Sequence, residues 1–282
     1  MKLPFKLLLI TALLFILGCS NDEEKAKQRL ELAKEFALRA DYNQARLQID
    51  SIKMLHPNEL PVLKEGQILY WEIESKEQQR SLSYLDSMLV INQHKVDSLK
   101  ETLLFEKNQE YQSVGIYMDK NQTLEKTMGT SCLRFYVNES GLMTVVAVIS
   151  GQGKGSSSGI KAQTPTDIYG ETPNLSKGDS NNFDGELSQT LNYTRGSDNG
   201  FIEFLYTYKD EPLKISFTGG TKTFSYTFSS TEKNALTKVY ELAVSLSEVT
   251  RLDKEKQHTQ KKIDFAKNAI EKSKEELILK SK

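Results

Sequence analysis

In a chain of 282 residues, the side chains that could do chemistry are two cysteines, three histidines and one run of carboxylates. His56, His94 and His258 are too scattered for zinc-ligand spacing, and none falls between residues 108 and 230. Neither Cys132 nor a serine of that stretch therefore has an imidazole to activate it. Cys132 lies in Thr130-Ser131-Cys132-Leu133-Arg134-Phe135, where it reads as a small buried apolar residue of a strand. Asp167, Glu171, Asp179, Asp184 and Glu186 crowd around Tyr169 and Phe183. Paired carboxylates of this kind could serve glycoside hydrolysis or bind calcium, and a solvated loop would carry the same residues. Gly151-Gln152-Gly153-Lys154-Gly155-Ser156 lacks the spacing of a phosphate loop and is followed by no helix signal, so it reads as a flexible polar turn. No metal or diffusible cofactor is expected.

A binding surface is the other candidate. Along Phe201 to Tyr208 a strand reading places Ile202, Phe204, Tyr206 and Tyr208 on one face and Phe201 and Leu205 on the other. A strand with two apolar faces is either buried between two sheets or offers one side to sugar rings or a partner protein. Tyr169, Asp167, Glu171, Phe183, Phe204, Tyr206 and Tyr208 make up this candidate surface.

These residues need a scaffold, and the heptads supply it. Leu82, Leu85, Leu89, Asn92, Val96, Leu99 and Leu103 alternate at spacings of three and four inside a helical stretch from 58 to 107. Leu242, Ser245, Val249, Leu252, Lys256, Thr259, Ile263, Ala266, Ile270, Ser273 and Leu277 do the same in a helix over 231–282, which Ser229 and Glu232 open as a capping box. The two are expected to pair antiparallel as a coiled-coil stalk, each helix on the order of 70 Å long. Between them, residues 108–230 lose helical periodicity and read as an antiparallel, sandwich-like β domain, giving an α+β chain. Three hairpins are predicted: 133–138 with 142–149, 187–193 with 201–208, and 213–218 with 221–228. In the third, a two-residue loop would set Leu213 opposite Tyr226 and Ile215 opposite Phe224. The polar stretch 151–184 is either disordered or a binding loop. Acidic and basic residues nearly balance, at a net charge of −1, so no global field draws the chain to nucleic acid.

Lys2 and Lys6 precede an apolar run, Leu7 to Leu17, that is short for a membrane span and ends in Ile16-Leu17-Gly18-Cys19. This resembles the lipobox of bacterial lipoproteins. The resemblance implies a signal peptide over residues 1–18, a diacylglycerol on the Cys19 thiol, and attachment to a membrane through that lipid. Ser20 then implies the outer membrane, and the run Asn21-Asp22-Glu23-Glu24, read as an acidic tether over 19–24, resembles the mark of surface-exported lipoproteins. Residues 25–57 resemble a single tetratricopeptide repeat, with Leu32, Ala33, Phe36, Ala45, Ile49 and Pro57 in its pattern and Ala40-Asp41-Tyr42 at the turn between two helices. Arg29 stands where that pattern has a large apolar residue and Ile52 where it has a small one. One repeat cannot bury a continuous core, so the hairpin should pack on the stalk. Asp50-Ser51-Ile52, Asp86-Ser87-Met88 and Asp97-Ser98-Leu99 resemble a bacterial O-glycosylation pattern. The expected function is that of a lipid-anchored, non-enzymatic envelope protein whose β domain contacts a protein or glycan. A periplasm-facing scaffold bound through its helices and a carboxylate-dependent glycan hydrolase are the alternatives.

Overall fold

The computed structural model describes residues 5–108, 113–151, 154–220 and 223–280, with side chains between Asp22 and Leu279. It is an α+β chain: α1 (Phe5–Leu38), α2 (Tyr42–Leu55), α3 (Leu60–Glu101), β1 (Leu104–Glu106), β2 (Ile116–Met118), α4 (Leu124–Thr127), β3 (Cys132–Asn138), β4 (Met143–Ile149), β5 (Gly159–Gln163), β6 (Tyr169–Glu171), β7 (Asn182–Asp184), β8 (Gln189–Thr194), α5 (Phe201–Thr207), β9 (Lys214–Thr218), β10 (Phe224–Thr227) and α6 (Ser230–Lys280). Two compact units result, one from residues 1–87 and 253–282 and the other from 88–252.

In the first unit α1 and α2 form the expected helical hairpin. Ala40 turns the chain with a φ of 60°, and the Asp41 carboxylate accepts the Gln44 N–H at 3.3 Å to start α2. Small residues let the helices approach closely: Ala26, Ala33 and Ala45 are fully buried, as is Ile52. Arg29, charged where the repeat pattern has a large apolar residue, reaches sideways to Gln48. Val62 of α3 joins Ala26, Leu30 and Ile52 in one cluster, and Ile73 joins Ala37, Tyr42 and Ala45 in a second. Thus α3 runs parallel to α1. Its partner α6 runs antiparallel to it: Lys64 pairs with Glu276 at 2.7 Å, Lys256 with Asp86 at 2.7 Å, and the Trp71 ring meets Phe265 edge-on at 5.3 Å. Asp22 to Glu24, read from sequence as a tether, instead belong to α1. Asp22 contacts the His56 Nδ1 at 2.7 Å and Glu23 pairs with Lys27.

In the second unit two antiparallel sheets, ordered β1-β2-β3-β4-β8-β7 and β10-β9-β5-β6, share one core. Leu133, Phe135, Val145, Ala147 and Leu191 of the larger sheet, Ile160, Ala162, Ile215 and Phe217 of the smaller, and Val96, Val239 and Leu242 of the helices all enter it. The heptad residues of both helices are buried or half-buried throughout, which is what a seam at spacings of three and four requires. The β3–β4 hairpin forms as predicted across Glu139-Ser140-Gly141, with Gly141 at a φ of 85°. The Tyr193 hydroxyl donates to the carbonyls of Ser158 and Pro173 and so ties β8 to the chain flanking β5.

Four expectations are corrected. Residues 201–207 are a helix, not a strand: the Asp198 carboxylate accepts the Ile202 N–H at 2.8 Å, Asn199 and Gly200 take positive φ, and Phe201, Ile202 and Leu205 bury one helical stripe. The alternation of Ile202, Phe204, Tyr206 and Tyr208 imitates a strand but is not used as one. β8 accordingly pairs with β4 and β7. The β9–β10 hairpin sits two residues from the predicted register, with Tyr226 opposite Ile215 and Phe224 opposite Phe217. A slip of two keeps every side chain on its face, so the Ser216 and Ser225 hydroxyls still meet, at 2.9 Å. The stretch 151–184 carries β5, β6 and β7 and is not a structureless excursion. Finally, α3 stops at Glu101, and β1 occupies residues read as the end of the stalk helix.

Candidate functional site

Cys19 lies in α1, and its side chain is outside the described residues. Three residues on, Asp22 is already held by His56, which caps α2 and is 5% exposed.

The aromatic residues of the second unit divide by place. Phe204 and Tyr208 are neighbours one turn apart on α5, with ring centroids 4.7 Å apart. Phe204 lies across β6 at Gly170, where an added Cβ would stand 2.6 Å from its ring. A glycine is the only residue that allows this approach. Tyr206, on the next face of α5, stacks on Tyr240 of α6 at 3.9 Å and 17°. The Lys209 ammonium lies 3.9 Å from the Tyr206 ring centre and the Arg195 guanidinium 5.0 Å from that of Tyr240. Arg195 is braced by Glu203. Both rings are half-buried, so Tyr206 of α5 and Tyr240 of α6, with Lys209 just past α5 and Arg195 just past β8, form an aromatic and basic strip. Tyr169, 54% exposed on β6, carries the Lys161 ammonium over its ring at 4.0 Å. Phe183 is 65% exposed on β7, the edge strand of the other sheet.

The predicted set is thus only partly assembled. Phe204 and Tyr208 pack together beside β6, Tyr169 points from the opposite face of β6, Tyr206 faces α6, and Phe183 stands on a different sheet. Arg195, Lys209 and Tyr240, which complete the strip, and Lys161, over Tyr169, lie outside the predicted set. Arg195 and Tyr240 arrive through tertiary packing that leaves no local sequence signal, whereas Lys209 follows Tyr206 at a spacing of three, which a helical reading of this stretch would have found.

Three of the carboxylates, Asp167, Asp179 and Asp184, have partners nearby. Asp167, at a φ of 64°, accepts from Gln163 Nε2 in the β5–β6 turn. Asp179 accepts the Asn181 N–H, and Asp184 lies 4.0 Å from Lys154. The Glu171 side chain is exposed, while its carbonyl accepts from Asn199 Nδ2 at 3.2 Å. Among the described residues no group of three or more His, Cys, Asp or Glu side chains could hold a metal ion. Burial pushes the Cys132 thiol up to about 12, and the charge of Glu232 adds to the shift. Such a thiol is a poor nucleophile at neutral pH.

One charged group is buried and fully engaged. Glu232, 5% exposed, accepts from the Leu133 N–H (2.8 Å) and Tyr226 hydroxyl (2.7 Å) through Oε1, and from the Ser229 N–H (2.9 Å) and hydroxyl (2.6 Å) through Oε2. The capping box is therefore also a clasp that fixes α6 to β3 and β10. Desolvation, followed by the neighbouring Glu232 charge, raises the Tyr226 hydroxyl well above its ordinary range. Asp119, 2% exposed, binds Lys238 at 2.7 Å. Burial works to raise its pKa, but the bonds from Lys238 and the Asn121 N–H outweigh it and leave Asp119 below the usual carboxylate range.

In the helical unit a cleft of roughly 570 Å³ opens between α2 and α3, lined by Ile49, Lys53, Leu63, Gln67, Tyr70 and Trp71 among others. Trp71 thus packs against Tyr70 and Phe265 and also borders open space. Comparison of the chain with family models, curated proteins and solved structures returns no match.

Proposed function

We propose that this chain is a lipid-anchored, non-enzymatic protein of the bacterial outer membrane, displayed at the cell surface, whose β domain binds a protein or glycan. The observation that carries the reading is Ile16-Leu17-Gly18-Cys19 placed after Lys2, Lys6 and an apolar run, with folded structure engaged from Asp22 onward. Two or three acyl chains make attachment effectively permanent, since each buried methylene contributes about 0.8 kcal/mol. The binding part of the proposal is supported by the Tyr206–Tyr240 stack with Lys209 and Arg195 on its rim. Aromatic faces suit the C–H faces of sugars and the apolar side chains of proteins alike.

The cleft beside Trp71 favours a second reading, a periplasm-facing scaffold that engages partners through its helices. Protease shaving of intact cells distinguishes the two. Surface display predicts cleavage of the wild-type chain without opening the outer membrane, and loss of that cleavage pattern with Cys19→Ala. Resistance until the membrane is opened would refute display.

A further inference from the structure

We infer that the end of the helical unit nearest Asp22 is itself a bilayer-contacting surface, so that apolar side chains from three helices enter the lipid beside the acyl chains; this rests on the proposed anchoring at Cys19. Three residues separate Cys19 from Asp22, about 5 Å along a helix and at most about 10 Å of extended chain. Asp22 is fixed to His56 at 2.7 Å, so the lipid cannot lie far from the last turn of α2. The same end holds the first turn of α3, because Val62 clusters with Ala26, Leu30 and Ile52. It also holds the last turns of α6, because Lys64 pairs with Glu276.

At that end five large apolar side chains stand exposed, with charged ones such as Glu23, Lys25 and Lys53 around them. Met54 is 80% exposed, Leu55 56%, Leu60 57%, Ile278 58% and Leu279 73%. They come from α2, α3 and α6, and no single amphipathic helix explains them. Exposed apolar residues that converge on one place mark an interaction surface. The occupant follows from tether length: whatever holds the acyl chains of Cys19 must come within about 10 Å of His56, and that is the bilayer. Residues that enter an interface in this way sit about 5–10 Å deep, at the boundary of headgroups and acyl chains. A lipid with a long disordered tether would leave the protein free to tumble above the membrane, whereas this arrangement fixes one end of the helical unit on it.

The test uses the acylated full chain in phosphatidylcholine vesicles, with an environment-sensitive fluorophore on single cysteines introduced as M54C, L279C or L38C. Leu38, 82% exposed, ends α1 at the opposite end of the hairpin, and Cys132 is buried and escapes labelling. The expected result is a shift of emission to shorter wavelength, with quenching by nitroxide-bearing lipids, at positions 54 and 279 and not at 38. Water-like emission at all three positions in protein that floats with the vesicles would overturn this inference and leave anchoring intact. Failure to float, with Cys19 of unmodified mass, would overturn both.

Discussion

Replacing Glu232 by Ala removes a carboxylate that hydrogen-bonds α6 to both sheets. Its Oε1 accepts from Leu133 N and the Tyr226 hydroxyl, and its Oε2 from the Ser229 N–H and hydroxyl. Ser229 is exposed and can turn to water, so its loss amounts to an ordinary cap, about 1 kcal/mol. The Leu133 amide and Tyr226 hydroxyl cannot. Each buried donor left without an acceptor costs about 1–3 kcal/mol. Glu232→Ala should therefore destabilise the second unit by about 3–7 kcal/mol, a large share of the roughly 5–15 kcal/mol typical of a domain. Glu232→Gln retains a carbonyl oxygen for the two buried donors and loses chiefly the cap, at about 1–2 kcal/mol. Trp71 lies in the other unit, so its fluorescence does not report this change. Amide hydrogen exchange along β3 does: through the alanine variant it should speed up by about a hundredfold or more, and through the glutamine variant by about tenfold. Equal, small effects of the two substitutions would show that Oε1 does not hold the buried donors, and the clasp would have to be abandoned.

The same cluster sets an alkaline limit. Because Tyr226 is raised in the folded chain, the folded state keeps a proton that the unfolded state releases above about pH 10, so the stabilisation is complete below pH 10 and falls as pH rises further. Tyr226→Phe should flatten that alkaline decline in a denaturation series, and an unchanged slope would contradict the assignment. Asp119 works in the opposite direction: its lowered value stabilises above the usual carboxylate range and is lost as pH falls through the folded value, so Asp119→Asn should weaken the acid dependence of unfolding. Gly170→Ala should push Phe204 off β6 and cost about 1–3 kcal/mol, read as a lower thermal midpoint; unchanged stability would mean that α5 shifts freely. Carbodiimide should join Lys64 to Glu276 and Lys256 to Asp86 without a spacer, and the absence of both crosslinked peptides would refute the antiparallel register of α3 and α6.

Much of the helical part is legible in sequence because its signals are local. The heptad positions from Leu82 to Leu103 and Leu242 to Leu277 point inward at a fixed period, and Ser229 with Glu232 marks a helix start within four residues. The β domain is legible where strands are long and apolar, as in β3 and β4. It fails where period and capping compete. Ile202, Phe204, Tyr206 and Tyr208 alternate like a strand, yet Asp198 and Gly200 supply a helix entry that decides the local fold. β5 is recognisable only from Ile160 and Ala162 amid polar residues, too short a pattern to separate from a loop. The aromatic strip is partly visible because tyrosines are conspicuous. Its partners Tyr240 and Arg195 come from elsewhere in the chain, and such pairings have no sequence period.

The anchor is the premise behind both the proposed location and the seating of the helical unit on lipid. Mass spectrometry of the membrane-extracted chain, produced in a Gram-negative host, addresses it directly. The account predicts a mature N-terminus at Cys19 bearing diacylglycerol, with Cys19→Ala found uncleaved and without lipid. A chain that retains residues 1–18, or begins elsewhere with an unmodified Cys19, would contradict it.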